Sequence, residues 1–437
     1  MLLQNINISR FTVRGFMLGT ILACTHMLSI LPIAYAAQDP VDYEKTPVHL
    51  REHPAFSPDD IIMGSFIVRP ILATMGWYDS NVFLDKDDHV ADKIVSVRPS
   101  LSIRSDFSRH AVNLDMDADA TRYVQESEQN TYDVKLFAQG RLDITSDLRS
   151  FLSFNVIEDH EDRNDSTVPS SPEKPTELKQ RDVEIAVNYT PARLNLTLFG
   201  RYKINKFENG IRRNSQTAFI AEDRNKRVID VGTRVAYDAH PNYTPYFLIR
   251  YSDERYDHLT FQENTGGFTG REQDVNTYSA SPGISFNFKD LIMGRLEAGM
   301  AFENAVDEGT DDKKTYVIDS EITYNPTKLT TIVAGLERNF DTDSDTNFGT
   351  VVTESNLSVH HELRRNFIVG LGAQSKWRNF DNSARLDRIY SMTLDSEYKI
   401  NKHLSISGEY IFNRRLSETT NFDYAQHLFY VGLKNKF

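Results

Sequence analysis

From Ile61 to the end of the chain, apolar and polar residues alternate with a period of two. The alternating runs last roughly ten to thirteen residues and are separated by polar, turn-forming segments. In Leu194–Ile204 one face reads Leu194, Leu196, Leu198, Gly200, Tyr202, Ile204, and the other Asn195, Thr197, Phe199, Arg201, Lys203. Val183, Ile185, Val187 and Tyr189 alternate with Glu184, Ala186 and Asn188. Tyr390, Met392, Leu394 and Tyr398 alternate with Ser391, Thr393, Asp395 and Glu397. Leu404, Ile406, Tyr410 and Phe412 alternate with Ser405, Ser407 and Glu409. A soluble β-sandwich would show the same alternation in any one strand. Many long strands of this kind point instead to an all-β, transmembrane, antiparallel up-and-down β-barrel, with the apolar face toward lipid and the polar face toward a lumen.

Connection lengths orient that barrel. Tight turns are expected at 107–109, 146–148, 190–193, 240–242, 289–291, 325–328, 364–366 and 401–403. Longer loops alternate with them at 79–92, 126–130, 161–176, 208–225, 257–274, 304–312, 341–349, 381–384 and 415–421. Short turns face the periplasm and long loops the exterior in such barrels. Eight short and nine long connections join 18 strands, an even number that leaves both ends in the periplasm. Sixteen strands is the alternative count. Aromatic residues recur at strand ends, among them Trp77, Tyr78, Tyr189, Phe207, Tyr237, Phe288 and Tyr324, as interfacial girdles require.

The segment ahead of the strands changes the compartment. Arg10 and Arg14 precede a mostly apolar stretch from Gly15 to Ile33, and Ala34-Tyr35-Ala36 offers small residues to a signal peptidase. Residues 1–36 therefore read as a signal peptide cleaved before Ala37. An uncleaved anchor is disfavoured by His26 and Pro32, and a lipoprotein site at Cys24 by the apolar sequence that follows it. Residues 37–60, with Pro40, Pro47, Pro54 and Pro58, read as a periplasmic arm without regular structure, and 61–437 as the barrel. Removing 36 of the 437 residues leaves 401 without cysteine, and losing two arginines takes the net charge from −13 to −15. That acidity argues against nucleic acid. A mean hydropathy of −0.47 is compatible with membrane strands, which hide apolar residues at every second position.

Phe56-Ser57-Pro58-Asp59-Asp60-Ile61-Ile62-Met63-Gly64-Ser65-Phe66-Ile67-Val68-Arg69-Pro70, Tyr78-Asp79-Ser80-Asn81-Val82-Phe83 and Val97-Arg98-Pro99-Ser100-Leu101 carry a likeness over roughly residues 56–125. Together they resemble the putative outer-membrane β-barrel porin family of alphaproteobacteria, whose members often lie beside exopolysaccharide biosynthesis genes. The resemblance implies a porin-like barrel in the outer membrane and supplies no catalytic residues. It also implies a polysaccharide cargo and polysaccharide secretion components as partners. Read from the residues alone, Tyr78–Phe83 is an aromatic strand end followed by Asp-Ser-Asn turn formers.

Candidate chemistry lies on the inward faces. Asp115, Asp117 and Asp119 should form one inward row beside Arg98 and Arg104. Lys135, Arg141, Arg201, Lys203, Arg234 and Arg295 face Asp133, Glu184, Asp230, Glu297, Asp319 and Glu321. Charge on a pore wall tunes which solutes pass. A strand spaces the three aspartates too widely for one cation. Asp341, Asp343 and Asp345 have calcium-loop spacing, but the sixth position lacks glycine and Val352 stands at the twelfth. His360 and His361 point to opposite faces of a strand, and Ser, His and acid residues do not converge at the loop ends. No metal, cofactor or enzymatic activity is expected. The loop 260–271, with Gly266, Gly267 and Gly270, is a candidate to fold inward.

Two functions follow: a channel for hydrophilic solutes, with polysaccharide export as its finer form, and a non-conducting barrel that scaffolds a surface or secretion assembly. The terminal strand presents Phe429, Val431, Leu433 and Phe437 outward, with Asn435 interrupting. Phe437 is the expected signal for barrel-assembly machinery, and outer-membrane lipid and lipopolysaccharide are the expected surroundings.

Overall fold

The computed structural model describes residues 46–51, 53–161, 163, 172–213, 217–262, 266–307, 309–341, 349–380, 385–419 and 422–437. The leader, Cys24, the start of the arm and the calcium-like positions 342–347 lie outside them.

Strands long enough to cross a bilayer are paired in sequence order around a closed wall. They are β1 Phe66–Asp79, β2 Asp92–Ser105, β3 Ala111–Tyr123, β4 Thr131–Asp143, β5 Leu148–His160 and β6 Glu177–Tyr189. Next come β7 Leu194–Phe207, β8 Lys226–Tyr237, β9 Tyr243–Tyr256, β10 Val275–Phe288, β11 Ile292–Ala305 and β12 Lys313–Thr327. The last six are β13 Thr330–Phe340, β14 Val351–Arg364, β15 Phe367–Asn379, β16 Leu386–Lys399, β17 Leu404–Ser417 and β18 Tyr424–Lys436. The sheet has one further member, Ile61–Met63, which doubles back on Phe66–Val68 through Gly64 at φ 63°. The wall is thus an antiparallel up-and-down barrel of 18 strands. A 14-residue strand rises about 3.3 Å per residue and, tilted by about 40°, spans about 35 Å, more than the apolar band of about 25 Å.

Closure comes from β1 and β18. Ile71 to Asp79 pair with Lys436 back to Leu428, with Trp77 opposite Tyr430 and Tyr78 opposite Phe429. The loop after β1 reinforces this seam. Asp79, buried at the strand end, accepts both the backbone N–H of Asn81 (2.8 Å) and the side-chain amide of Gln426 (3.0 and 2.9 Å). Asn81 is fully buried, and its amide donates to the carbonyls of Asp85 (2.8 Å) and Ala425 (3.1 Å) while accepting from the Asp85 N–H. The backbone N–H groups of Asp88 and Asp87 in turn donate to the Asp85 carboxylate and hold its pKa below the usual range. The Asp-Ser-Asn segment therefore builds a turn that staples the first loop to the last strand.

Inner and outer faces separate as the alternation demands. In β7, Leu194, Leu198 and Tyr202 are 39%, 49% and 42% exposed, whereas Thr197, Phe199 and Lys203 are 1%, 6% and 6% exposed. Bare apolar residues face lipid, and the polar inner face is packed. Tyr189, Tyr237, Phe288 and Tyr324 stand exposed at the periplasmic ends, and Tyr78 at the outer end. Trp77 and Phe207 correct the girdle expectation. Their parity turns them inward, where Trp77 stacks on Tyr430 (5.4 Å) and Phe207 packs with Phe219 and Ala221 under Arg224. Phe429, Val431, Leu433 and Phe437 face outward.

Replacing Asn81 by alanine should remove the staple while leaving the strands intact. Losing these buried hydrogen bonds costs about 1–3 kcal/mol. The folded, fast-migrating form should then convert at a lower temperature in a heat-modifiability gel, and an unchanged transition would exclude the staple.

Candidate functional site

The inner wall carries its charges mostly as pairs between neighbouring strands. Asp119 binds Arg98 and accepts from Ser96 Oγ (2.6 Å), and Arg104 lies 3.9 Å from Asp115. Asp117, between them on the same strand, stands exposed. Lys135 reaches past its register partner Asp117 to bind Asp159. Asp133, instead of meeting a lysine or arginine, accepts from His160 (2.5 Å). Arg141 and Arg149 both bind Asp143, at 3.1 and 3.2 Å.

On β6 and β7, register places Glu184 opposite Arg201, but Arg201 makes its ion pair with Asp182, at 3.2 Å. Lys203, directly opposite Asp182, is buried. Arg295 binds Asp319 through two close contacts of 2.6 and 2.8 Å. Among the described residues Arg234 makes no such pair. Its guanidinium lies 4.0 Å from the ring centre of Tyr246, a cation–π arrangement.

Two glycines make the ring positions possible. Phe199 lies flat across Gly232, its register partner, where a built Cβ would come within 2.1 Å of the ring. Tyr246 covers Gly283 in the same way, with a Cβ at 2.3 Å from the ring. Because Gly283 pairs on its other side with Glu297, the Tyr246 hydroxyl can donate to Glu297 two strands away (2.9 Å). Rings laid over strand glycines fill the gap and bend the wall. Phe151, Ala186, Phe199, Ala236, Tyr246 and Leu248 thereby form an apolar inner patch toward the periplasmic side. Arg250, Tyr246 and Gly283 were absent from the sequence-derived set. Their alternation along β9 and β10 was the available signal, but the ring-over-glycine contact was not.

Both mouths are partly occupied. At the periplasmic end the arm forms two short 3-10 turns, Val48–Leu50 and Pro54–Phe56, and the first is seated against β13 and β14. Val48 is fully buried and donates its N–H to Thr331 (3.0 Å). Arg51 donates to the carbonyl of Lys328 (2.6 Å) and lies 3.6 Å from Glu362, which His53 also meets at 3.2 Å. His49 stacks on His360 at 4.2 Å, while His361 on the opposite face meets Thr330 (2.9 Å). At the outer end, Phe83 from the first loop is buried beneath Arg213 (3.5 Å) and Arg163 (5.1 Å), which come from two loops farther round. Arg163 also binds Gln129, and Arg224 forms a two-point pair with Glu161 (2.5 and 3.0 Å). Among the described residues of the loop 260–271, Gln262 pairs with Gly267 and the Phe261 N–H donates to Asp223 of the neighbouring loop (3.2 Å). The first loop is the one that reaches across. Among the described residues no three His, Cys, Asp or Glu side chains are placed to hold a metal ion.

A family model described as Putative beta-barrel porin 2 matches residues 53–437. No curated protein matches the chain. Among solved structures it is similar to the copper transporter OprC, at 9% identity and a TM-score of 0.49, covering 87% of this chain and 82% of that one. It is also similar to the ferric enterobactin receptor PfeA of Pseudomonas aeruginosa in a mutant form, at 7% identity and 0.46, covering 85% and 80%. The outer membrane protein OpdK of Pseudomonas aeruginosa follows at 12% identity and 0.43, covering 85% and 99%. Identities and scores this low say nothing of cargo.

Replacing Gly283 by valine should expel the Tyr246 ring and break its hydrogen bond to Glu297. A loss of about 1–3 kcal/mol follows from leaving a buried acceptor short of a donor. In thermal unfolding, Gly283→Val should cost much less when Tyr246 is already alanine; equal costs in both backgrounds would contradict the ring-over-glycine account.

Proposed function

The chain belongs to the Putative beta-barrel porin 2 family, and we propose that it is a passive outer-membrane channel for hydrophilic solutes. The observation that carries this reading is a closed wall with a bare apolar exterior and a charged inner face. Arg98, Arg104, Asp115, Asp117, Asp119, Lys135, Arg141, Glu184, Arg201, Lys203 and Arg234 are the proposed pore lining. Their paired layout keeps the wall polar without a single dominant sign, which suits small hydrated solutes. The arm seated on Thr331 and Glu362, and the first loop held beneath Arg213, are proposed to narrow the two mouths. Export of a polysaccharide is a finer reading, and it rests on the resemblance alone.

The surroundings proposed are outer-membrane lipid and lipopolysaccharide, reached after removal of residues 1–36. Phe437 is proposed as the residue read by barrel-assembly machinery, since its ring stands free on the outer face at the end of the closing strand.

Refolded, heat-modifiable protein should open discrete channels in planar bilayers, and deletion of residues 46–58 should raise their conductance. Absence of openings from folded protein would favour a scaffolding barrel. Current blocked by a long neutral polysaccharide, and not by its monosaccharide, would favour export. Deleting Phe437 should slow insertion into membranes containing the assembly machinery; insertion at the same rate would remove that role.

A further inference from the structure

We propose that the recess between Arg234, Arg250 and Arg295 on the inner wall binds the carboxylate of a small hydrophilic organic acid. This rests on the channel reading above and names a solute class for it. The recess gathers guanidinium groups from β8, β9 and β11 together with Glu297 and Asp319. Both carboxylates are already engaged. Asp319 accepts from Arg295, and Glu297 accepts from Tyr246. Among the described residues, Arg234 and Arg250 make no hydrogen bond or ion pair, and the Nε atoms of Arg250 and Arg295 are buried without a hydrogen-bond partner.

A guanidinium drawn out of water is unfavourable by several kcal/mol, and Glu297 and Asp319 offset this for Arg250 only in part, because neither lies within ion-pair distance of it. An entering anion removes that cost, and the planar fork of Arg250 matches a carboxylate in two-point geometry. Charge selects among anions. Three arginines against two carboxylates leave one positive charge, which a monoanion neutralises. A doubly charged phosphate would overshoot it and stand against Glu297. The placement also has a structural cause. Arg250 pairs in register with Gly232, so no side chain from β8 stands beside it, and the Phe199 ring that covers the glycine supplies the recess with a dry wall. Thr197 and Ser285 complete the lining with hydroxyl groups suited to a polar body.

Calorimetric titration of the full chain, refolded in detergent, tests the site without needing conduction. Glucuronate should bind the wild type, and glucose should not. Arg250→Gln should weaken glucuronate by about tenfold or more, as removal of a charge-assisted pair predicts. Arg250→Lys, which keeps the charge and loses the fork, should recover only part of it. Heat-modifiable migration shows that each variant is folded. No binding by the wild type, or equal binding by folded Arg250→Gln, overturns the proposal. In bilayers, glucuronate should reduce the wild-type current and spare that of Arg250→Gln. Binding without any channel opening would overturn the channel reading and keep the site. Openings without binding would do the reverse.

Discussion

Everything in this molecule depends on pairing its first strand with its last. Inside a bilayer no water is available to an unpaired backbone N–H or carbonyl, and each one left over costs several kcal/mol. Seventeen neighbouring pairings in sequence order would still leave two open edges. The ladder between Ile71–Asp79 and Leu428–Lys436 removes both. It joins residues more than 340 positions apart, so the chain must be nearly complete before the barrel can close. The buried Asp79–Gln426 and Asn81–Ala425 contacts sit at the outer end of that seam, where the strands leave the membrane and the ladder would otherwise fray.

Closure fixes the parity of every side chain, and parity fixes the chemistry. An inward residue faces the lumen and its neighbours on the wall instead of lipid. Most find partners across one strand or along their own, as Arg98 with Asp119 and Arg141 with Asp143 do. Glycines at Gly232 and Gly283 change this local economy. Each lets an aromatic ring lie along the wall, and the Tyr246 hydroxyl thereby reaches Glu297, which simple register does not supply. Arg250, which makes no hydrogen bond or ion pair among the described residues, belongs to the same place: its register partner on β8 is Gly232, and the one on β10 is the short Ser279.

The two mouths follow a different logic from the wall. There water is present, and the contacts are mixed: stacked cations on Phe83, a two-point Arg224–Glu161 pair, and a proline-rich arm held by one buried valine, the Arg51–Glu362 ion pair and a His53–Glu362 hydrogen bond. Such contacts are individually modest.

Strand number, connection lengths and inner-face charges were legible in the sequence because a period of two leaves no choice about which residues share a face. Arg98, Asp115, Asp119, Arg201 and Arg234 are assigned to the inner face on that basis. The same rule, applied consistently, would have turned Trp77 and Phe207 inward rather than into the girdles. What periodicity does not encode is which residues meet across strands. Strand register decided that Arg201 binds Asp182 although Glu184 stands opposite it, that Tyr246 reaches Glu297 over Gly283, and that Arg250 faces a glycine. The seating of the arm on Thr331 and Glu362, and of Phe83 beneath Arg213, depends on segments far apart in sequence meeting at a rim. The sequence by itself determined the faces, since alternation is a local property of each strand. Only the tertiary structure decided the neighbours, since those are set by stagger between strands and by the closing of the barrel.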